Sequence, residues 1–222
     1  MTWMKAALAA LTLLASALFP AVASAQRETL SIAPVAQQTP VWCWAATIEM
    51  AFRHYGAPNL NPYGNMQCAV VATLHPQCAA NCGTCIVSGG TTANMVMSIN
   101  AYRQFAYNAG AGFPNFSYYL AGRLGFYDIV DSIDADDPLI AGISPSGMGG
   151  RYPPTMSEHA VIIVGYDEGN ASVIVNDPYP YPPGFDPYIR FGGMQLQPGR
   201  YEISYTAFTQ GLGYKDTIIF AY

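Results

Sequence analysis

Apolar residues recur with a helical period over the first part of the chain and gather into short solid runs over the rest. Trp44, Ile48, Ala51, Phe52 and Tyr55 fall on one face of a helix, and Gly56 is a natural stop. Cys43 lies in the first turn of that helix wherever its start is drawn. A second helix is expected from about Thr92 to Ala106, with Met95, Ile99, Tyr102 and Ala106 on one side. Phe126, Ile129, Val130 and Ile133 mark a short third one. Residues 57–90 read as loop and 107–122 as irregular chain. Beyond Asp137-Pro138 the pattern changes: Leu139–Ile143 reads as a buried strand, and 144–158 as a flexible loop of Gly, Pro and Ser. AVIIVGY (160–166) and SVIVN (172–176) are strands joined by a turn over 167–170. A Pro/Tyr-rich loop covers 178–187, and 215–222 is a closing strand. Helices that lead and strands that follow predict an α+β domain of two lobes, their border between 107 and 122.

The N-terminus stands apart from this pattern. Lys5 precedes an apolar run from Ala6 to Phe19, and Ala23-Ser24-Ala25 has the small-x-small form of a cleavage site. Residues 1–25 therefore read as a signal peptide, and 26–222 as the mature domain. The run falls short of the ~20 apolar residues a membrane span needs, so the expected location is secreted or periplasmic, with no membrane contact after cleavage. Net charge is −5 over 222 residues, with nine Lys and Arg and no basic cluster, which argues against nucleic acid as a partner. The 21 glycines, 17 prolines and 16 tyrosines point to long loops and a neutral, aromatic surface.

Five cysteines sharpen the picture. Cys68, Cys78, Cys82 and Cys85 are clustered, and Cys43 stands alone. In an oxidising compartment the cluster predicts two disulfides, with three pairings open. A four-Cys zinc site is the rival, although only Cys82 and Cys85 have its close spacing. Neither arrangement uses Cys43.

A thiol at a helix start is chemically specific, because unsatisfied backbone N–H groups and the positive helix end favour thiolate. Its base must be a histidine. His54 is eleven residues further along the same helix, roughly 16 Å away along the axis. His75 precedes Pro76 within the cysteine-rich loop, and His159 enters a buried strand from a Gly/Pro-rich loop. His159 is thus the expected partner. Asn176-Asp177 ends the strand that pairs with the His159 strand, which puts a group to hold the imidazole beside it. Gln37, six residues before Cys43, is a candidate donor to an oxyanion.

These residues carry a resemblance. QQTPVWCWAA at 37–46 resembles the active-site segment of papain-like cysteine peptidases. EHAVIIVGY at 158–166 is similar to their histidine segment, and VIVNDP at 173–178 to their orienting-residue segment. The bacterial avirulence-effector proteases and bacteriocin-leader peptidases look nearest, and ISYTAF at 203–208 resembles a late segment of that branch. The resemblance implies a papain-like fold, with an N-terminal helical lobe, bearing the nucleophile helix, packed on a C-terminal antiparallel β lobe. It implies Cys43 as nucleophile, His159 as base, and Gln37 with the Cys43 backbone N–H as oxyanion hole. That branch has an acidic residue before Pro, which implies Asp177 rather than Asn176 as the third member. A peptide or protein substrate follows, with no cofactor and no metal. The Cys68–Cys85 insert departs from the exporter peptidases, and the 17 residues between 25 and Cys43 leave no room for papain's inhibitory propeptide. Rival expectations are a cell-wall peptide amidohydrolase or amide acyltransferase with the same triad, and a non-catalytic binding module. Trp42-Cys43-Trp44 does not match the Asp-Cys-Ser of wall-cutting enzymes.

Overall fold

The run AVIIVGY folds into the central strand of the sheet, here β4 (His159–Asp167), and everything at the site is placed relative to it. The computed structural model describes residues 25–79, 81–89, 91–145 and 158–222. The signal peptide read over 1–25 lies outside the described residues except for Ala25, and so does most of the loop read over 144–158. One edge of β4 pairs with β5 (Ser172–Asn176). Its other edge is shared, the first half by β3 (Leu139–Ile143) and the last by β1 (Arg27–Thr29). Adding β2 (Ser117–Gly122), β6 (Met194–Gln197), β7 (Arg200–Ser204) and β8 (Asp216–Ala221) gives an eight-stranded sheet among the described residues. Its order is β2-β8-β3-β4-β5-β7-β6, with β1 beside β4, and every pair is antiparallel.

β3 and β5 are buried along their whole length, and β4 along all but Asp167. Strands covered on both faces need apolar residues at consecutive positions, which is why these three were solid runs in the sequence. Gly165 has a steric task. A Cβ there would stand 2.4 Å from the Glu28 carbonyl oxygen, so only glycine lets β1 cross this close. The chain leaving β1 then runs alongside the sheet, with Leu30 N donating to Val164 O.

Helix α1 (Cys43–His54) lies against β4, burying Trp44, Ile48, Met50, Ala51 and Phe52. Each large apolar side chain so buried stabilises the fold by about 1.5–3 kcal/mol. Helices α2 (Met66–Leu74) and α3 (Thr92–Asn108) pack on one another and on α1, while α4 (Phe126–Asp134) lies against β4 and β1. A short α5 (Pro187–Arg190) is capped by Asp186, whose carboxylate accepts from the Tyr188 and Ile189 N–H groups. The chain is therefore α+β, with the helix carrying Cys43 packed on an antiparallel sheet.

Two expectations need correction, and one hairpin lies where the sequence pattern predicted no element. The stretch 57–90 is not all loop, since it holds α2 and 3-10 turns at Pro76–Ala79 and Cys82–Thr84. MQCAVVATL lacks a polar face and so shows no helical period; it is fixed by the Asn65 cap and by a disulfide at Cys68. Within 107–122, β2 pairs in register with β8, and its exposed Tyr119 and Leu120 hide the alternation of a strand. The β6–β7 hairpin was unread because β6 (MQLQ) is exposed at every position. The clustered cysteines pair as Cys68–Cys82 and Cys78–Cys85, leaving Cys43 free.

Candidate active site

Cys43 is the first residue of α1, and the cap position before it is Trp42, whose side chain makes no capping bond. No acidic residue occupies the first turn. The helix start therefore keeps its positive end for the thiol. Trp42 is fixed otherwise: it is fully buried, and its indole N–H donates to the Cys85 carbonyl at 3.0 Å. The disulfide-bonded insert thus props the residue before Cys43.

His159 begins β4 and is 4% exposed. Its Nε2 lies 2.8 Å from Asp177 Oδ1, and its charged form together with the Ala160 N–H favours the Cys43 thiolate. His159 thus couples electrostatically to both Cys43 and Asp177. Burial pushes the His159 pKa down, but the charges of Asp177 and Cys43 outweigh it and raise the ring to about 10. For Cys43 burial pushes the thiol up, and the imidazolium with its hydrogen bonds wins, holding it below the ordinary 9.0. The two shifts describe one thiolate–imidazolium pair.

Asp177 is buried and its oxygens are saturated. Oδ1 also accepts from the Tyr179 backbone N–H at 2.8 Å. Oδ2 accepts from the Tyr181 and Tyr188 hydroxyls at 2.9 and 3.1 Å. Sequence reasoning missed both tyrosines; Tyr181 lies in the Pro/Tyr-rich stretch 178–187, which read only as loop, and Tyr188 in α5 just beyond it. Asn176 faces elsewhere. Its Nδ2 donates to the Ile32 carbonyl, and its Oδ1 accepts from Arg200 Nε, both inside the fold.

Gln37 is reached by the extended lead-in from β1. Its backbone N–H donates to the Pro178 carbonyl at 2.9 Å, tying it to the residue after Asp177. Its Nε2 donates to the Thr39 carbonyl at 2.7 Å and keeps a second N–H. Gln37 Oε1, Thr39 Oγ1 and Trp44 Nε1 are buried without a hydrogen-bond partner, all within eight residues around Cys43. Buried unpaired polar atoms are costly and concentrate at functional sites. The other histidines lie apart, His54 Nε2 donating to the Asp136 carbonyl and His75 ending α2.

A half-buried thiol on a helix start and an imidazole raised by a buried carboxylate have the chemistry of a nucleophilic cysteine centre. A family model, the Peptidase_C39-like family, matches residues 29–188, and the chain belongs to that family. It is thus a papain-like cysteine peptidase, a hydrolase of peptide or protein substrates. The solved structure of a C39-like peptidase candidate from Bacillus anthracis is similar at a TM-score of 0.47 and 13% identity, over 87% of this chain and 97% of that one. No curated protein matches the sequence.

Proposed function

We propose that this chain is an exported cysteine peptidase that cleaves peptide bonds through a covalent thioester, with Cys43, His159 and Asp177 as triad and Gln37 as oxyanion donor. The observation that carries the reading is the buried His159–Asp177 hydrogen bond at 2.8 Å beside a free thiol at a helix start, with the mutual charge of Cys43 and His159 lowering the thiol and raising the ring.

The Cys43 thiolate attacks the scissile carbonyl carbon, and the C=O π pair moves onto oxygen. That oxyanion takes the free N–H of Gln37 Nε2 and the backbone N–H of Cys43. The intermediate collapses as the C–N bond breaks and the His159 imidazolium gives its proton to the leaving amine. The thioester remains. His159, now neutral, draws a proton from water, which attacks the thioester carbonyl and releases the acid and the thiolate. Asp177 holds the ring by Nε2 throughout and stabilises its charged form.

Export rests on the signal-like residues 1–25 and is supported by the two disulfides, which persist in oxidising compartments. On this reading 26–222 is the mature enzyme. Among the described residues no helix is long and apolar enough to cross a membrane. The test is labelling with a thiol-directed epoxide at mildly acid pH. Wild type is expected to take one label at Cys43, and His159→Ala to take it far more slowly; equal labelling of both would remove His159 from the mechanism.

A further inference from the structure

The structure assigns Gln67 as a positioning residue for Gln37. This rests on reading Gln37 as the oxyanion donor.

Gln67 is the second residue of α2 and is completely buried, although nothing in its own helix requires a polar side chain there. Its carboxamide is used in full. Nε2 donates to the Ala36 carbonyl at 3.0 Å and to Glu49 Oε2 at 2.9 Å, and Oε1 accepts from the Gln38 backbone N–H at 3.0 Å. The two backbone groups belong to the residues on either side of Gln37. In extended chain the C=O of one residue and the N–H of the residue two further on point to the same edge, while the residue between them points to the other. Gln67 thus takes the place of a neighbouring strand along one edge of Gln37. On the other edge the Gln37 N–H goes to the Pro178 carbonyl. The backbone of the donor is clamped from both sides, and one of those clamps is a side chain.

The clamp is itself anchored. Glu49 belongs to α1, the helix that Cys43 begins, and its other oxygen accepts from Arg53 at 2.5 Å. Gln67 therefore measures the position of Gln37 against the nucleophile helix. Asn65, the α2 cap, adds a second tie by donating from Nδ2 to Gln38 Oε1 at 2.6 Å. Cys68, the residue after Gln67, is bridged to Cys82, so the disulfide insert holds the base of the clamp. None of these groups is bonded to Cys43, His159 or Asp177.

The experiment separates oxyanion positioning from general damage. Peptide hydrolysis develops an oxyanion, whereas alkylation of Cys43 by iodoacetamide is displacement at a methylene carbon and develops none. Gln67→Met keeps length and bulk and loses all three hydrogen bonds. It is expected to lower kcat on a quenched-fluorescent peptide pool about tenfold to a hundredfold, with KM within about threefold and the Cys43 alkylation rate within about twofold. Gln37→Ala, measured alongside, should show the same split. Turnover and alkylation falling in parallel would make Gln67 a structural residue only and overturn the inference. Full turnover in Gln67→Met beside a slow Gln37→Ala would also overturn it and leave Gln37 in place. Full turnover in Gln37→Ala would remove the reading on which it rests. If Gln67→Met does not fold, Asn65→Ser is the substitute, since serine keeps a cap for α2. Its ratio of turnover to alkylation should fall about threefold, the worth of one modest hydrogen bond, and an unchanged ratio would count against the clamp.

Discussion

Replacing Asp177 by Asn keeps the shape of the group that holds His159 and removes its charge. The ring stands at about 10 against an ordinary 6.5, so the interactions favouring imidazolium outweigh its burial by about 5 kcal/mol. The charge of Asp177 is the largest of them and the Cys43 thiolate the next. Losing it should bring the ring down by about two pH units. The same carboxylate also opposes ionisation of Cys43, so its removal cannot raise the thiol through charge alone. Both limbs of the kcat/KM profile therefore move to lower pH, the alkaline limb by about two units and the acid limb slightly. At pH 6 Asp177→Asn should stay within a few-fold of wild type, and at pH 9 it should lose about tenfold, because most of its imidazole is neutral there. The asparagine amide can still accept from Nε2–H, so the loss is smaller than that of a wrongly oriented base. Asn176→Ala is the control: it should leave the profile alone and cost about 1–3 kcal/mol of stability by leaving Arg200 Nε without its acceptor, while the Ile32 carbonyl keeps Arg200 Nη2. The assay is hydrolysis of a fluorogenic peptide pool from pH 4 to pH 11 in constant ionic strength. An alkaline limb unmoved in Asp177→Asn, or one moved by Asn176→Ala, would refute the reasoning.

Other outcomes follow from the same geometry. Cys43→Ala and His159→Ala should each abolish turnover, with the double variant no worse than either, since the pair acts as a unit; additive losses would show independent roles. Denatured protein should titrate one free thiol per chain, from Cys43, with Cys68, Cys78, Cys82 and Cys85 oxidised. The bridges span 14 and 7 residues, so opening either should remove roughly 2–3 kcal/mol through the unfolded chain. Titrated with reductant, activity should rise first as oxidised Cys43 is restored, and the melting temperature should fall later as the bridges open. A fall in both from the first addition would mean Cys43 is not the reactive thiol.

Much of this site was legible because its parts sit where local pattern is strong. The α1 period places Cys43 at a helix start, and the solid AVIIVGY run places His159 at the head of a central strand. Which residue bonds His159 was not legible from pattern, and the reason is a single residue. Counted back from the turn, where Asp167 pairs with Ser172, an unbroken hairpin would set Asn176 opposite Ile163. Ile163 shares a face with His159, since side chains alternate. A bulge between Ile163 and Gly165 shifts the register, so that Asn176 lies opposite Ile162 and turns to the other face. Asp177 then takes the His159 side, where its bond is seen. The resemblance pointed to Asp177, while strand parity alone would have chosen Asn176. Gln67 was invisible for a different reason. A buried glutamine in an apolar nine-residue stretch reads as noise until the chain it clamps is laid beside it. The tyrosines on Asp177 likewise depend on how the 178–187 loop and α5 fold back, which no local period reports.

The central claim is that peptide bonds are cut through Cys43, and mass-spectrometric profiling of a peptide library tests it most directly. Wild type and Cys43→Ala, both purified from export and gently reduced, are incubated with the same library. Wild type should yield new N- and C-termini at peptide bonds and Cys43→Ala none, although it should melt at nearly the same temperature. Cleavage by Cys43→Ala at the wild-type rate, or a wild-type enzyme that cuts no peptide yet labels at Cys43, would contradict the account.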